Sequence, residues 1–114
     1  MEIEFYEKAD GSRPAEEFIL EQSSKMRAKI VKTIELLEDE GINLRMPFSE
    51  KISGEIFQLR VQAEGGNARI MYFFIVGQKA ILTNGFLKKT NKTPSKELEM
   101  AKKYRQEYLK RQVE

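Results

Sequence analysis

Arg60, Arg69, Lys88 and Lys89 are the residues of this 114-residue chain whose types and spacing best suit chemistry. Arginine grips phosphate with two parallel N–H donors, and lysine supplies a point charge on a flexible stem. On one patch these cations repel one another unless an anion sits between them. Such a patch would stabilise the charge that develops on a phosphate as RNA is cleaved by its own neighbouring 2′-hydroxyl. A lysine whose pKa is lowered by an adjacent arginine would also move a proton. The chain has no Cys, and its His count is zero. Thiolate sites, disulfides, Ser–His–Asp triads and tight zinc sites are therefore excluded. The sequence offers no obvious metal-ligand cluster, and no cofactor is expected. Without His, no side chain has an ordinary pKa suited to acid–base work at neutral pH, so a slow or substrate-assisted enzyme is expected.

For these side chains to meet, the strands that carry them must pair in a particular register. Phe57, Leu59 and Val61 alternate with Gln58, Arg60 and Gln62, the pattern of a strand with one wet face. Gly65-Gly66 reads as a hairpin turn, Ala68 to Val76 as an apolar strand broken by Arg69, Gly77-Gln78 as a second tight turn, and Ala80 to Leu87 as the next strand. Two-residue turns would pair 62 with 69 and 60 with 71, then 76 with 79, 71 with 84 and 69 with 86. Opposed residues share a face. One face then collects Phe57, Leu59, Val61, Ile70, Tyr72, Phe74, Val76, Ile81 and Leu87. The other carries Phe73, Ile75 and Leu82 at one end, and Gln58, Arg60, Gln62, Arg69, Asn84 and Lys88 at the other, with Phe86 among them. A one-residue change in the first loop would send Arg69 to the opposite face. That placement buries a guanidinium in an apolar core, which is costly without a paired acid, so the clustering register is preferred.

In this register Phe86 offers a stacking surface for a base, and Gln62 and Asn84 are polar contacts beside it. Lys88, Lys89 and Lys92 carry the charge into the loop before the last helix. The backbone N–H groups at Thr93-Pro94-Ser95 suit an anion. Lys51 joins the site if its loop folds over the hollow. Each reading has a plainer rival: Arg60 as a solvated residue paired with Glu55 or Glu64, and Tyr72, Tyr104 and Tyr108 as packing residues.

The remaining elements build the frame. Residues 2–7 alternate as a short edge strand, and Asp10-Gly11-Ser12 marks a turn. Pro14 with Glu16 and Glu17 opens a helix running to about Glu21. Ser23-Ser24 caps a second helix, whose Met26, Ile30, Ile34 and Leu37 form an apolar stripe ending at Gly41. Residues 42–55 read as a loop. Thr93-Pro94 opens a last helix running to about Arg111. The order is βααβββα, an α+β domain spanning residues 1–114. Its small antiparallel sheet has a helical hairpin on one face and a C-terminal helix. At 40% hydrophobic and 33% charged residues, the chain falls in the range of ordinary globular proteins, not disordered ones. Its longest apolar run, Ile70 to Val76, is far short of a membrane span, and the acidic start lacks a signal-peptide pattern. A cytoplasmic protein is expected. Residues 1–49 carry 7 basic and 11 acidic groups, whereas residues 50–92 carry 7 basic and 3 acidic. That imbalance points the middle third toward a polyanion.

Three segments also carry a family resemblance: Lys51-Ile-Ser-Gly-Glu-Ile-Phe-Gln-Leu-Arg60, Ala68-Arg69-Ile-Met-Tyr72-Phe-Phe, and Gly85-Phe86-Leu-Lys88-Lys89-Thr90-Asn-Lys92-Thr93-Pro94. Together with the element order they resemble the Gp49-like/HigB branch of the RelE/ParE toxin superfamily, over roughly residues 2–110. The last segment is the most specific of the three. The resemblance implies a RelE-like fold and the toxin of a type II toxin–antitoxin pair that cuts mRNA, commonly on the ribosome, and so inhibits translation. It implies as partner a cognate antitoxin, usually with a helix-turn-helix domain, and it implies that Arg60, Arg69, Lys88 and Lys89 contact the scissile phosphate. Asn84 stands where many relatives have His, and the second strand lacks the lysines of RelE itself. These departures leave two alternatives, a ParE-like inhibitor of DNA gyrase and a non-catalytic nucleic-acid-binding module.

Overall fold

The computed structural model describes residues 1–77 and 79–112. In chain order the elements are β1 (Glu2–Phe5), α1 (Pro14–Leu20), α2 (Ser24–Glu40), a short 3-10 turn (Gly41–Asn43), β2 (Ser49–Ser53), β3 (Ile56–Ala63), β4 (Gly66–Ile75), β5 (Lys79–Leu87) and α3 (Ser95–Gln112). Pro14 occupies the first turn of α1, where its missing N–H costs nothing. The Ser23 side chain accepts a hydrogen bond from the Met26 amide and caps α2. The amide of Gly41 returns to the Leu37 carbonyl and closes the same helix. α3 begins at Ser95, so Thr93 does not cap it; its hydroxyl turns back instead to Gln58 Oε1 at 3.3 Å.

The five strands form one mixed sheet in the order β1-β5-β4-β3-β2. Two expectations change here. Residues 42–55 are not all loop, because Ser49–Ser53 adds an edge strand antiparallel to β3. The sheet is not wholly antiparallel either, because β1 runs parallel to β5 at the other edge. The α1–α2 hairpin carries the chain from β1 at one edge of the sheet to β2 at the other, and β5 comes to lie beside β1 only after β2, β3 and β4 have been laid down.

The β3–β4 pairing is shifted by two residues from the expected register. Arg60 lies opposite Arg69, and Gln62 opposite Asn67. The turn falls at Glu64-Gly65, where Gly65 takes φ +92, instead of at Gly65-Gly66. A shift of two preserves every side chain's face, so the expected clustering survives. Between β4 and β5 the expected pairs Met71–Asn84 and Arg69–Phe86 are present. Beyond them a bulge at Thr83 moves the register by one, so Tyr72 meets Leu82 and Phe73 meets Ile81. Leu82 and Ile81 thereby exchange the faces expected for them. Of the proposed Gly77-Gln78 turn, Gln78 lies outside the described residues. Val76, expected in the core, is 92% exposed.

Both faces of the sheet are covered. α2 lays Met26, Ile30, Thr33 and Leu37 against Leu59, Val61, Ile70, Tyr72 and Leu82. Each fully buried aliphatic side chain there contributes about 1.5–3 kcal/mol. Gly85 is required on this face: a Cβ would lie 2.3 Å from the Phe18 ring of α1. On the opposite face α3 places Ala101, Tyr104 and Tyr108 over Ile56, Met71, Phe73, Ile81 and Phe86. Tyr6 follows β1 and stacks on Tyr104 with ring centroids 4.7 Å apart. The expected covering of the apolar end of this face by the last helix is therefore observed. No helix among the described residues is long and apolar enough to cross a membrane.

Candidate functional site: a basic hollow at one end of the sheet

The polar end of the α3-side face remains open beyond that helix. Arg60 on β3 and Arg69 on β4 are direct cross-strand partners, which brings their Cβ atoms to about 5 Å. One residue past β5, the Lys88 amide donates to the Asn67 carbonyl at 2.7 Å and prolongs the ladder. The chain then leaves the sheet beside Arg69. The result is a hollow of about 360 Å3 lined by Arg60, Asn67, Arg69, Lys88, Lys89, Thr90 and Asn91. Four cations face it, and among the described residues no carboxylate lines it.

Arg69 is the unusual member. It is 5% exposed, and its Nη1 donates to the Ala68 carbonyl at 3.0 Å, but its buried Nε has no partner among the described residues. Burial, and then the charge of Arg60, push the guanidinium below its ordinary pKa range, while Glu50 pulls the other way. Glu50 itself accepts from Gln58 Nε2 at 3.0 Å. None of Arg60, Arg69, Lys88 and Lys89 forms an ion pair among the described residues. Glu64, once a possible partner for Arg60, instead pairs with Lys25 at 3.1 Å. Two arginines held opposite each other without an ion-paired acid are mutually destabilising, and a dianionic or monoanionic phosphate would reverse the sign of that interaction.

Arg60 is held from its other side. Its amide donates to the Phe48 carbonyl at 2.8 Å, and its Nη1 lies 2.8 Å from Met46 Sδ. The loop before β2 is thus tied to the arginine through both backbone and side chain. That loop forms the rim of a second, larger hollow of about 490 Å3, lined by Lys29, Lys32, Thr33 and Leu36 of α2, Pro47 and Phe48 of the loop, Arg60, Val61 and Gln62 of β3, and Asn67 and Arg69 of β4. The two hollows share Arg60, Asn67 and Arg69.

Several expected contributors lie elsewhere. Phe86 shares the face with Arg69 but is 8% exposed among the α3-side core residues, so it offers no free ring for stacking. Asn84 is 2% exposed, and its Nδ2 is taken by the Glu97 carbonyl and side chain at 3.2 and 3.1 Å. Lys51 pairs with Phe57 across β2 and β3 and extends over that ring at 5.8 Å, on the far side of the sheet edge. Lys92 is exposed, one residue beyond the hollow's lining, and Ser95, which starts α3, is exposed as well and does not line the hollow. Gln62 is exposed and lines the larger hollow. Strand alternation explains these outcomes. It assigns a face, but depth along that face depends on where α3 ends, which alternation does not carry.

The sequence reading missed Asn67, Lys29, Lys32, Phe48 and Leu36. A signal existed for the lysines, since residues three apart on a helix point the same way. The excess of acidic groups in the first 49 residues hid it. Asn67 was obscured by the two-residue error in register.

A family model described as "Phage derived protein Gp49-like" matches residues 17–106 of the chain. The matched stretch contains every residue lining the two hollows. Among the curated proteins, none matches the chain.

Proposed function

The chain belongs to the phage-derived Gp49-like family, a family related to toxin–antitoxin systems, and from that premise we propose that it is the toxin of such a pair, a metal-independent endoribonuclease that inhibits translation by cutting mRNA on the ribosome. This extends the family reading to the HigB branch of the RelE superfamily. Its partner is a cognate antitoxin with a helix-turn-helix domain. The observation that carries the proposal is Arg69: a buried guanidinium whose Nε has no partner among the described residues, opposite a second arginine and beside Lys88 and Lys89, in a hollow that no described carboxylate lines.

In the proposed reaction the 2′-oxygen attacks the adjacent phosphorus, a P–O2′ bond forms, and the bond to the 5′-oxygen breaks. Arg69 and Arg60 hold the non-bridging oxygens as charge builds on them. Their rigid strand positions mean that little reorganisation is needed in the transition state. Lys88 and Lys89, on the rim, offset charge on the departing 5′-oxygen and supply its proton. The 2′ proton passes to a phosphate oxygen or water, as suits a site without histidine.

Purified protein incubated with ribosomes translating a defined message tests this chemistry. The expected products end in a 2′,3′-cyclic phosphate and a 5′-hydroxyl. A message with a 2′-deoxy sugar at the cut nucleotide is expected to stay whole. Intact message throughout, alongside growth arrest and a DNA-damage response on expression in cells, would favour gyrase inhibition instead.

A further inference from the structure

The larger hollow differs in chemistry from the phosphate hollow that it joins. Its wall combines an apolar surface, Leu36, Pro47, Phe48 and Val61, with two amide side chains and the cations of α2. Phe48 is 40% exposed. Its backbone is fixed, since its amide donates to Arg45 at 3.0 Å and its carbonyl accepts from Arg60 at 2.8 Å. Gln62 and Asn67 face each other directly across β3 and β4. Paired amides present both donors and acceptors. Lys29 and Lys32 stand on the far wall, one helical turn apart. The volume, about 490 Å3, falls in the range typical of pockets that enclose a small ligand.

We infer that this hollow is a nucleobase subsite for the nucleotide next to the phosphate held by Arg60 and Arg69. The base rests on Phe48 and Leu36, the amides of Gln62 and Asn67 contact its edge, and Lys29 and Lys32 meet the following phosphate. The inference builds on the ribonuclease reading. RNA is favoured over a protein segment by three features. The hollow is continuous with the phosphate hollow through three shared residues. Its walls carry four cations at the spacing of successive strands and helix turns, and no carboxylate among the described residues. The partly exposed Phe48 lines the same hollow as these cations, which puts a surface for a base beside groups that suit phosphates. The paired amides make this the place where the cut site's sequence preference is set.

The test is binding of short RNAs that resist cleavage because they carry 2′-O-methyl sugars. One series has a normal base at each position and a second has an abasic site there. Wild-type protein is expected to lose affinity by about tenfold or more at one position when the base is removed. Phe48→Ala is expected to bind both series alike. Because Phe48 is partly exposed, the variant is expected to fold, and its thermal transition checks that. Lys29→Ala with Lys32→Ala, both on an exposed helix surface, is expected to weaken binding of every RNA and to flatten its salt dependence. Equal wild-type affinity for normal and abasic RNA at every position overturns the subsite while leaving phosphate binding intact. No RNA binding by wild type overturns both the subsite and the ribonuclease reading. If Phe48→Ala leaves RNA affinity unchanged but releases the antitoxin, the hollow is a protein-docking groove and the subsite is overturned.

Discussion

Arg69 carries the most information of any single residue. An arginine inside an apolar strand is conspicuous in sequence because burying it alone is costly, and that cost is visible in the fold. Its Nε is unpartnered and Arg60 stands opposite. The guanidinium stays charged throughout the accessible pH range, so changing pH does not relieve the strain, but removing the charge or adding an anion does. Arg69→Met is therefore expected to raise stability by about 1–2 kcal/mol in chemical denaturation while abolishing toxicity. Inorganic pyrophosphate is expected to raise the melting temperature of the wild type and to leave that of the variant unmoved. A variant less stable than wild type would mean that the arginine has support that its surroundings do not display. Phe86 shows the limit at this scale. Its type and face were legible, yet its burial under α3 was not, because a period of two records direction and not depth.

At the scale of elements, the strands around the hollow were readable from alternation and glycine turns, and the βαα entry from Pro14, Ser23 and Gly41. β2 was not. Its Ser49-Glu50-Lys51-Ile52-Ser53 run lacks apolar alternation, and it is a strand because β3 offers an edge. The bulge at Thr83 was likewise silent in sequence. It reassigns Ile81 and Leu82, and the Thr83 hydroxyl fills it, 3.1 Å from the Met71 carbonyl and 2.7 Å from Asn84 Oδ1. Two elements yield direct predictions. Gly85→Ala forces a Cβ into the Phe18 ring, and about 1–3 kcal/mol of overpacking is expected in equilibrium unfolding. At the β1–α3 junction, burial, then the hydrogen bond to Glu107 and that carboxylate's charge, push the Tyr6 phenol up to about 12, while Arg111 acts in the opposite direction. The folded state thus favours the neutral phenol. The stability this provides is complete below the unfolded value near 10 and is lost as pH rises through about 12. Denaturation curves between pH 9 and 12 are expected to fall more steeply for wild type than for Tyr6→Phe.

For the molecule as a whole, charge is arranged by the fold more sharply than by the sequence. The net charge is only +2, and α2 lies in the acidic third of the chain. Yet Lys29 and Lys32 of that helix line a hollow with Arg60 and Arg69, and those two arginines also line the adjoining hollow with Lys88 and Lys89. RNA affinity is therefore expected to fall steeply between 50 and 200 mM salt, and the slope to lessen by roughly 1 for each cation removed. The basic middle third was legible from counts of charged residues. The contribution of α2 was not, because it depends on which side of the helix meets the loop at Phe48.

The central claim is that toxicity arises from RNA cleavage in the hollow around Arg69. Side-by-side induction of wild type and Arg69→Ala in cells, with growth followed and mRNA 5′ ends mapped, tests it most directly. Wild type is expected to arrest growth and create new ends inside reading frames, and Arg69→Ala to accumulate as folded protein with neither effect. Arrest by Arg69→Ala at the wild-type level, or arrest by wild type without new ends, would contradict the account.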